Sequence, residues 1–209
     1  MRVVNRGRFI TLEGMEGAGK TSRLADLQAF LQQRGKTVLA TREPGGTALG
    51  EKLRALLLAP EHGPMTPLTE LLLMFAARSE HVQQVILPAL DAGQWVLCDR
   101  YVDASYAYQG AGRGLGNAPV AALEALLPSQ AHPDLTLLLD LPVESGLARA
   151  KRRGAADRFE QETSGFHQRV REAYLSRARQ RPQRYCLIDA ALSPFEVSAA
   201  IERAVGRLL

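Results

Sequence analysis

The chain has 209 residues, of which 46% are hydrophobic and 23% charged, which is typical of one soluble globular domain with a sizeable core. Its 26 basic and 22 acidic residues leave a net charge of only +4, which does not by itself indicate nucleic-acid binding, and no stretch has the ~18 apolar residues of a membrane span. Cys98 and Cys186 lie in apolar segments without metal-ligand or redox spacing. We therefore expect reduced thiols, no secretion signal and a cytoplasmic enzyme.

The first predicted elements are a strand, a glycine-rich turn and a helix. Residues 9–12 are a β-prone apolar run, and apolar residues at helical spacing follow from Leu24. Between them the pattern G-x-x-x-x-G-K-[ST] is filled by Gly14, Met15, Glu16, Gly17, Ala18, Gly19, Lys20 and Thr21. An ordinary glycine-rich turn would not need this context. We predict that backbone N–H groups here bind phosphate, with Lys20 reaching the β/γ-phosphates and the Thr21 hydroxyl binding Mg²⁺.

The rest of the chain alternates between strand and helix patterns. Further strands are predicted at 36–41, 94–98, 135–141 and 184–189. Helices are predicted at about 49–57, 69–91 with a bend near Pro88, 103–108, 120–127, 144–153, 166–179 and 194–208, and a loop with four glycines at 109–116. This alternation predicts a single α/β domain over residues 1–209, with a five-stranded parallel sheet, helices on both faces and ligands at the carboxyl ends of the strands.

Two of the predicted strands run into a carboxylate. Asp99 follows the strand at 94–98, and Asp140 lies in the apolar run at 135–141. An aspartate at a strand end beside a phosphate loop commonly holds Mg²⁺, and the alternative for either residue is a structural ion pair. Asp99 is favoured, because Arg100 follows it and could bridge two phosphoryl groups with its planar guanidinium.

The second strand and the long helix carry further candidates. Arg42 precedes the turn at 43–46, which would present it to the cleft unless it is an ordinary surface arginine. Phe75, Arg78 and His81 recur every three residues and share one side of the helix. Phe75 is either a core residue or a ring that stacks on a base, with Arg78 bonding the base edge. We expect His81 to be a surface or capping histidine.

A basic cluster follows the fourth strand. It consists of Arg149, Lys151, Arg152, Arg153 and Arg158. One interpretation is an arginine-rich mobile lid at about 145–162 that closes over the cleft and brings arginines to a transferring phosphate. The other interpretation is a solvated charged face.

These motifs together resemble the bacterial thymidylate kinase family, P-loop kinases that phosphorylate dTMP with ATP. The resemblance runs from about Phe9 to the C-terminus. It depends on Gly-Met-Glu-Gly-Ala-Gly-Lys-Thr, Thr-Arg-Glu-Pro-Gly-Gly-Thr, Phe-Ala-Ala-Arg, Asp-Arg-Tyr, Ala-Tyr-Gln-Gly and the lid that ends Asp-Arg-Phe-Glu. The phosphate loop alone would indicate only the P-loop NTPase fold, whereas the Arg-Glu-Pro-Gly-Gly turn and the aromatic-x-x-Arg helix are more specific.

The resemblance implies roles for individual residues. Residues 14–21 would bind ATP, and the dTMP site would comprise Glu16, Arg42, Phe75, Arg78, Arg100, Ser105, Tyr108 and Gln109. In that site Glu16 would hold the sugar 3′-hydroxyl, Arg42 and Arg100 would contact the phosphate, and Tyr108 would crowd a 2′-hydroxyl. Catalytic roles fall to Lys20, Arg100, Arg149 and Arg153, with Thr21 and Asp99 holding Mg²⁺. Which basic residue of the lid is catalytic stays open. The resemblance also implies a homodimer, since members of the family are usually homodimers.

The expected acceptor sets the expected mechanism. A dTMP phosphate oxygen is largely ionised at pH 7, since its second pKa is ~6, so no general base is needed. Catalysis then reduces to alignment and charge stabilisation. One alternative is a kinase for another nucleotide or for a nucleoside, whose neutral hydroxyl would need Glu13 or Glu16 as base. A nucleotide-dependent regulator is a second alternative, and a nucleic-acid-binding module is a weaker one.

Overall fold

The computed structural model describes residues 6–60, 65–152 and 157–209. Five strands form one parallel sheet in the order β2-β3-β1-β4-β5. The strands are β1 (Phe9–Glu13), β2 (Val38–Arg42), β3 (Trp95–Asp99), β4 (Leu135–Asp140) and β5 (Tyr185–Asp189). The predicted five-stranded parallel sheet is therefore confirmed.

Helices connect the strands and cover the sheet. The α-helices are α1 (Lys20–Gln32), α2 (Ala48–Leu58), α3 (Pro67–His81), α4 (Leu87–Asp91), α5 (Val102–Ser105), α6 (Asn117–Glu124), α7 (Val143–Lys151), α8 (Ser164–Gln180) and α9 (Pro194–Gly206). Two π-helical segments, Val82–Ile86 and Tyr106–Gly112, join α3 to α4 and extend α5. Within the described parts of the chain, no helix is both long and apolar enough to cross a membrane.

The core has helices packed on both faces of the sheet. One cluster joins the inner residues of β1, β3 and β4 to α1 and α9, including Leu12, Leu27 and Ile201. A second cluster on the opposite face joins β1 and β3 to α3 and α4, including Phe9 and Leu90. The nearly unbroken apolar run of β4 is buried as predicted, because both of its faces meet helices.

Strand register gathers the ends of three strands. Asp99 is paired in register with Leu12 of β1 and with Arg42 of β2, so the three strands end at the same level. β1 leads directly into the turn at residues 14–19 and then into α1. The phosphate loop, Arg42 and Asp99 therefore meet at the carboxyl edge of the sheet.

The long helical region changes its hydrogen-bonding pattern next to a proline. The predicted helix at 69–91 is present, and its turn widens at Val82–Ile86 immediately before α4. Pro88 has no N–H to donate to the preceding turn, so a local change of hydrogen bonding is accommodated there.

The loop predicted at 109–116 is wrong for its first part. Residues Tyr106–Gly112 continue the helix as a π-helical segment. A Cβ atom on Gly112 would lie 2.7 Å from the Phe166 ring of α8. Position 112 requires a glycine because α8 packs closely against it. The glycine content of this segment therefore reflects close packing as well as chain reversal.

Candidate active site

A cavity of about 470 Å³ opens at the carboxyl edge of the sheet. The phosphate loop, the ends of β2 and β3, and helices α2, α3 and α7 contribute to its walls. Among the lining residues are Glu16, Gly17, Gly19, Lys20, Thr21, Arg42, Glu43, Arg54, Met74, Arg78, Asp99, Arg100, Ser105, Tyr108, Gln109, Arg149, Asp157, Phe159 and Glu160. The structure thus brings together most of the site residues predicted from the sequence.

The phosphate loop has the backbone that its glycines permit. Gly14, Gly17 and Gly19 all have positive φ angles, of 136°, 75° and 86°. Lys20 begins α1, and its Nζ donates to the carbonyl oxygens of Gly14 and Met15 at 3.0 Å. Burial lowers the pKa of Lys20 to about 8, and the neighbouring Arg100 guanidinium adds to this effect. A bound polyphosphate would stabilise the ammonium form, so the site is electrostatically matched to an anion.

Thr21 and Asp99 form the candidate magnesium site. The Thr21 Oγ1 donates to Asp99 Oδ2 at 3.2 Å, while Asp99 Oδ1 is buried and has no hydrogen-bond partner. A carboxylate oxygen and a hydroxyl are suitable ligands for Mg²⁺, which keeps several waters and takes further oxygens from phosphate. Asp140, the other candidate, is paired with Arg171 at 2.8 Å through both of its oxygens and is a structural ion pair.

Glu16 belongs to the phosphate loop, and two residues from outside the loop hold its carboxylate in place. Its carboxylate accepts from Arg100 Nη2 at 2.8 Å and from the Tyr108 hydroxyl at 2.7 and 2.8 Å. Burial by itself raises the pKa of Glu16, but the charges of Arg100 and Lys20 and the Tyr108 hydroxyl outweigh it, so the pKa is lowered. Glu16 is therefore an ionised hydrogen-bond acceptor with a fixed orientation.

Arg100 occupies an unusual backbone position. Its φ angle is 69°, the only positive φ at a non-glycine residue in the described parts of the chain. Its Nη1 donates to the Gly14 carbonyl oxygen at 3.0 Å, and its guanidinium lies 4.8 Å from the Tyr108 ring centroid. A left-handed conformation is costly for a residue with a Cβ atom, and it occurs where the surroundings hold a functional side chain in place.

Glu13 lies behind this cluster and is not among the residues that line the cavity. Its carboxylate accepts from the backbone N–H of Tyr101 and from the Tyr174 hydroxyl, both at 2.7 Å. Burial, together with the nearby Asp103 carboxylate, raises the pKa of Glu13 to about 7. Because Glu13 is fully buried and already hydrogen-bonded, it is poorly placed to be the general base that a nucleoside acceptor would require.

Arg78 lies on the α3 wall of the cavity. Its Nε donates to Glu43 at 2.7 Å, its Nη1 to Ser105 at 3.0 Å and its Nη2 to a backbone oxygen at 3.0 Å. Phe75 is 6% exposed within a core cluster, and its ring is 4.6 Å from the Arg78 guanidinium. Met74, rather than Phe75, is among the residues that line the cavity. Base stacking by Phe75 stays a prediction.

His81 is buried, so the expectation that it lies on the surface is wrong. It contacts Glu43 at 3.0 Å through Nδ1 and Thr41 at 2.7 Å through Nε2. One Glu43 carboxylate therefore bonds both His81 and Arg78, and sequence reasoning missed it. The spacing of Arg78 and His81 on one helix face could have indicated such a carboxylate. Two hydrogen-bond donors that are buried side by side need an acceptor, and one carboxylate can serve both.

Two arginines stand at the β2–α2 side of the cavity. Arg42 Nη2 donates to Glu51 at 2.8 Å, and about half of each side chain is exposed. Arg54 of α2 donates to the Pro44 carbonyl oxygen at 2.9 Å, and burial and then the Arg42 charge lower its pKa. Arg54 was not predicted from the sequence. Its twelve-residue distance from Arg42 spans a turn and a helix whose packing had to be known first.

The lid cluster divides into residues with different surroundings. Arg149, Lys151 and Arg152 are all exposed, but Arg149 also lines the cavity and donates to the Ala190 carbonyl oxygen at 3.0 Å, whereas Lys151 and Arg152 do not line it. Arg153 lies outside the described residues. The lid interpretation expects the arginines of the cluster to reach a phosphate. Arg158 does not fit this expectation, because it is buried and forms an ion pair with Glu70 at 2.6 Å.

Comparison with known proteins agrees with this site. A family model described as thymidylate kinase matches residues 12–201. A thymidylate kinase from Alkalilimnicola ehrlichii is 57% identical over 204 residues, covering 97% of this chain and 94% of its own length. One from Pseudomonas putida strain W619 is 58% identical over 201 residues, covering 96% and 95%. The crystal structure of thymidylate kinase from Ehrlichia chaffeensis matches with a TM-score of 0.76 and 30% identity over 97% of this chain and 98% of its own. The resemblance inferred from the motifs is confirmed, and the chain belongs to the thymidylate kinase family.

Proposed function

We propose that this chain transfers the γ-phosphoryl group of ATP to dTMP, giving dTDP and ADP for dTTP synthesis. Membership of the thymidylate kinase family over nearly the full chain carries the proposal. The cavity supports it, since the phosphate loop lies at one wall and Arg78, Ser105 and Gln109 lie at another. The proposed substrates are the two soluble nucleotides, with no nucleic-acid or membrane partner, and the proposed location is the cytoplasm.

Catalysis would depend on cationic side chains that offset the negative charge of the two nucleotides. The attacking dTMP oxygen needs no base, because a phosphate monoester is largely ionised at neutral pH. Lys20 would stabilise the donor phosphates, Arg42 and Arg54 would hold the acceptor phosphate, and Arg100, which lines the same cavity, would contact both phosphates. These guanidinium and ammonium groups line one cavity, so they would oppose the repulsion between two anionic substrates and align them for in-line transfer.

Glu16 would orient the sugar of the acceptor. Its ionised carboxylate is fixed by Arg100 and Tyr108, so it would present an acceptor to a 3′-hydroxyl at little further cost in ordering. Tyr108 is 5% exposed and packs edge-to-face on Phe159 at 5.7 Å between centroids. A ring held in this way would leave little space for a 2′-hydroxyl, which supports a preference for deoxyribonucleotides.

Thr21 and Asp99 would hold the Mg²⁺ that accompanies ATP, and a bound Mg²⁺ would neutralise charge on the β- and γ-phosphate oxygens. Other groups of the protein would contact the phosphates beside the magnesium site. Lys20 and the N-terminus of α1 would anchor the donor phosphates, and Arg149 would add a charge from α7. Arg149 is the described candidate for the catalytic lid arginine, while the role predicted for Arg153 stays a prediction.

We also propose that the chain forms a homodimer through α2 and α3. Each helix carries a stripe of exposed leucines, Leu49 and Leu56 on α2 and Leu68 and Leu72 on α3, which are 44–51% exposed. The two helices pack against each other, so the leucines belong to adjoining surfaces. Exposed apolar side chains on neighbouring helices support an interface with a second copy.

Steady-state assays across acceptors test the proposed function. ADP release from ATP should depend on dTMP, fall markedly with dUMP, and be negligible with dGMP or thymidine. Lys20→Ala should reduce turnover by about 10²–10³-fold, by analogy with the loss of one preorganised donor. That variant also serves as a control for contaminating kinases. Faster turnover with another monophosphate or with thymidine would assign a different kinase, and no turnover with any acceptor would favour a nucleotide-dependent regulator.

A further inference from the structure

Glu70 is a fully buried carboxylate at the start of α3. It contacts three side chains that come from two other parts of the chain, accepting hydrogen bonds from Gln109 and Arg113 and forming an ion pair with Arg158. Gln109 Nε2 is 2.7 Å from Oε1, Arg113 Nε is 3.1 Å from Oε2, and Arg158 Nη1 is 2.6 Å from Oε2. Two arginines thus compensate one buried negative charge, which is the arrangement that makes burial of a carboxylate tolerable.

Two of the three partners of Glu70 lie at the cavity, one on its wall and one in a segment that contributes to its lining. Gln109 lines the cavity. Arg158 lies in the segment at residues 157–162, between Asp157 and Phe159, which also line it. The side chain of Arg158 donates further to the Leu57 carbonyl oxygen at 2.9 Å. Glu70 therefore connects a cavity residue to this segment.

The same segment is fastened at a second point. Arg113, which shares Glu70, also pairs with Glu162. Phe159 is 4% exposed and packs against the Tyr108 ring, so the segment rests on another cavity residue as well. Ion pairs and an aromatic contact thus hold 157–162 against the Tyr106–Gly112 segment, which carries both Tyr108 and Gln109.

An ionised carboxylate fixes the orientation of an amide. Since it only accepts hydrogen bonds, Gln109 must turn its NH₂ group toward Glu70 and leave its carbonyl oxygen for another partner. An uncharged acceptor-donor group at the same place would let the amide turn over. Removal of Arg158 would leave a buried charge less compensated and would loosen both the carboxylate and the amide.

We propose that Glu70 is a positioning residue that couples docking of segment 157–162 to the orientation of Gln109, and so to binding of the acceptor nucleotide. The inference deepens the proposed function and rests on it. Glu70 is not among the residues that line the cavity, so it acts through Gln109 and Arg158. ATP binding should depend on it far less, because the hydrogen bonds and ion pairs of Glu70, Gln109, Arg113 and Arg158 do not include the phosphate loop.

Three variants test the coupling, Glu70→Gln, Arg158→Met and the double variant. The expected result is a KM for dTMP at least about tenfold above that of the wild type, with the KM for ATP within about twofold. Because both single changes break one unit, the double variant should be no worse than the more impaired single variant. Arg171→Met is the matched control, since it breaks an arginine–carboxylate pair whose two residues are not among those that line the cavity, and its KM values should stay unchanged.

The outcomes separate positioning from general stability. Equal rises in both KM values, strictly additive effects, or a lower melting temperature with an unchanged KM for dTMP would overturn the inference. If Glu70→Gln does not fold, Arg158→Met with Arg171→Met carries the same comparison. The wild type is assayed first with dTMP. If it has no turnover, the proposed function fails; if it is active and both network variants keep its KM for dTMP, the coupling alone fails.

Discussion

Arg149 of α7 lines the cavity and donates to the Ala190 carbonyl oxygen, whereas Arg152, three residues further along the chain, does not line the cavity. Charge on the transferring group is redistributed only during reaction, so an arginine that acts there should affect turnover more than binding. We expect Arg149→Ala to lower kcat by at least about tenfold, or ~1.4 kcal/mol. Arg152→Ala, the control, should keep the kcat of the wild type.

Steady-state kinetics and equilibrium binding of ATP and dTMP check the effect of Arg149→Ala. The dissociation constants should change by less than kcat does. If ATP affinity and kcat fall equally, Arg149 is a ground-state clamp for the donor. If neither changes, the catalytic charge from the lid must come from another residue.

Phe75 has features of both a base-stacking residue and a core residue, because it is buried and also contacts Arg78 of the cavity wall. We expect Phe75→Leu to raise the KM for dTMP by about 5- to 150-fold, equivalent to the ~1–3 kcal/mol of base stacking, and to leave the KM for ATP unchanged. Leucine keeps most of the apolar volume and removes the ring. Kinetics combined with thermal unfolding tests this, and a lower melting temperature with unaltered dTMP kinetics would assign Phe75 to the core.

Individual residues could be predicted from the sequence where a motif gives them a fixed place. Lys20 and Thr21 follow from the glycine pattern, and Asp99 with Arg100 from a strand end. Glu43 and Glu70 were missed because their roles come from partners 35 and 88 residues away, Arg78 and Arg158. A buried carboxylate that joins distant elements has no local pattern, and only the packing of α3 against its neighbours reveals it.

At the scale of elements, α7 and the phosphate loop are packed with backbone against backbone. A Cβ atom on Gly17 would lie 2.1 Å from the Gly146 oxygen, and one on Gly146 would lie 2.7 Å from the Glu16 oxygen. We expect Gly146→Ala to displace the helix, with a loss of ~1–3 kcal/mol from overpacking and a fall of roughly 2–12 °C in melting temperature. The KM for ATP should rise in parallel, because the displaced helix presses on the loop.

Calorimetry and steady-state kinetics of Gly146→Ala can be compared with those of Gly206→Ala. A Cβ atom on Gly206 in α9 would meet no atom within 4 Å, so that variant should match or slightly exceed the wild type in stability. A Gly146→Ala protein with the melting temperature and ATP kinetics of the wild type would show that the loop and helix are free to separate.

The order of elements was predictable, and their details were less so. The periodicity of the apolar residues and the positions of glycine and proline predict five strands and the long helix at 69–91 within a few residues of their observed positions. The local sequence predicts a loop for part of the π-helical segment Tyr106–Gly112, because its glycines resemble turn residues. The packing of Gly112 against Phe166 of α8 is a tertiary contact that no window of local sequence contains.

At the scale of the whole molecule, the proposed dimer and the acceptor pocket share two helices. Helix α3 carries Leu72 on its surface and Arg78 in the cavity, and α2 carries Leu56 on its surface and Arg54 in the cavity. A second copy seated on these helices would restrict their motion relative to the sheet. Dimerisation would therefore stabilise the pocket, with a larger effect on dTMP than on ATP, whose proposed site is the loop before α1.

Leu72→Glu tests this link between assembly and binding. A charge placed in an apolar interface should give a monomer at micromolar concentration, and the monomer should have a higher KM for dTMP than the wild type while its KM for ATP is nearly unchanged. Phe195→Glu is the control, because Phe195 is 82% exposed on α9 beside the edge strand β5, away from α2 and α3. Sedimentation measures the mass, and kinetics at several protein concentrations measure the binding. A wild type that sediments as a monomer would refute the dimer, and a monomeric Leu72→Glu variant with wild-type kinetics would show that each pocket is complete within one chain.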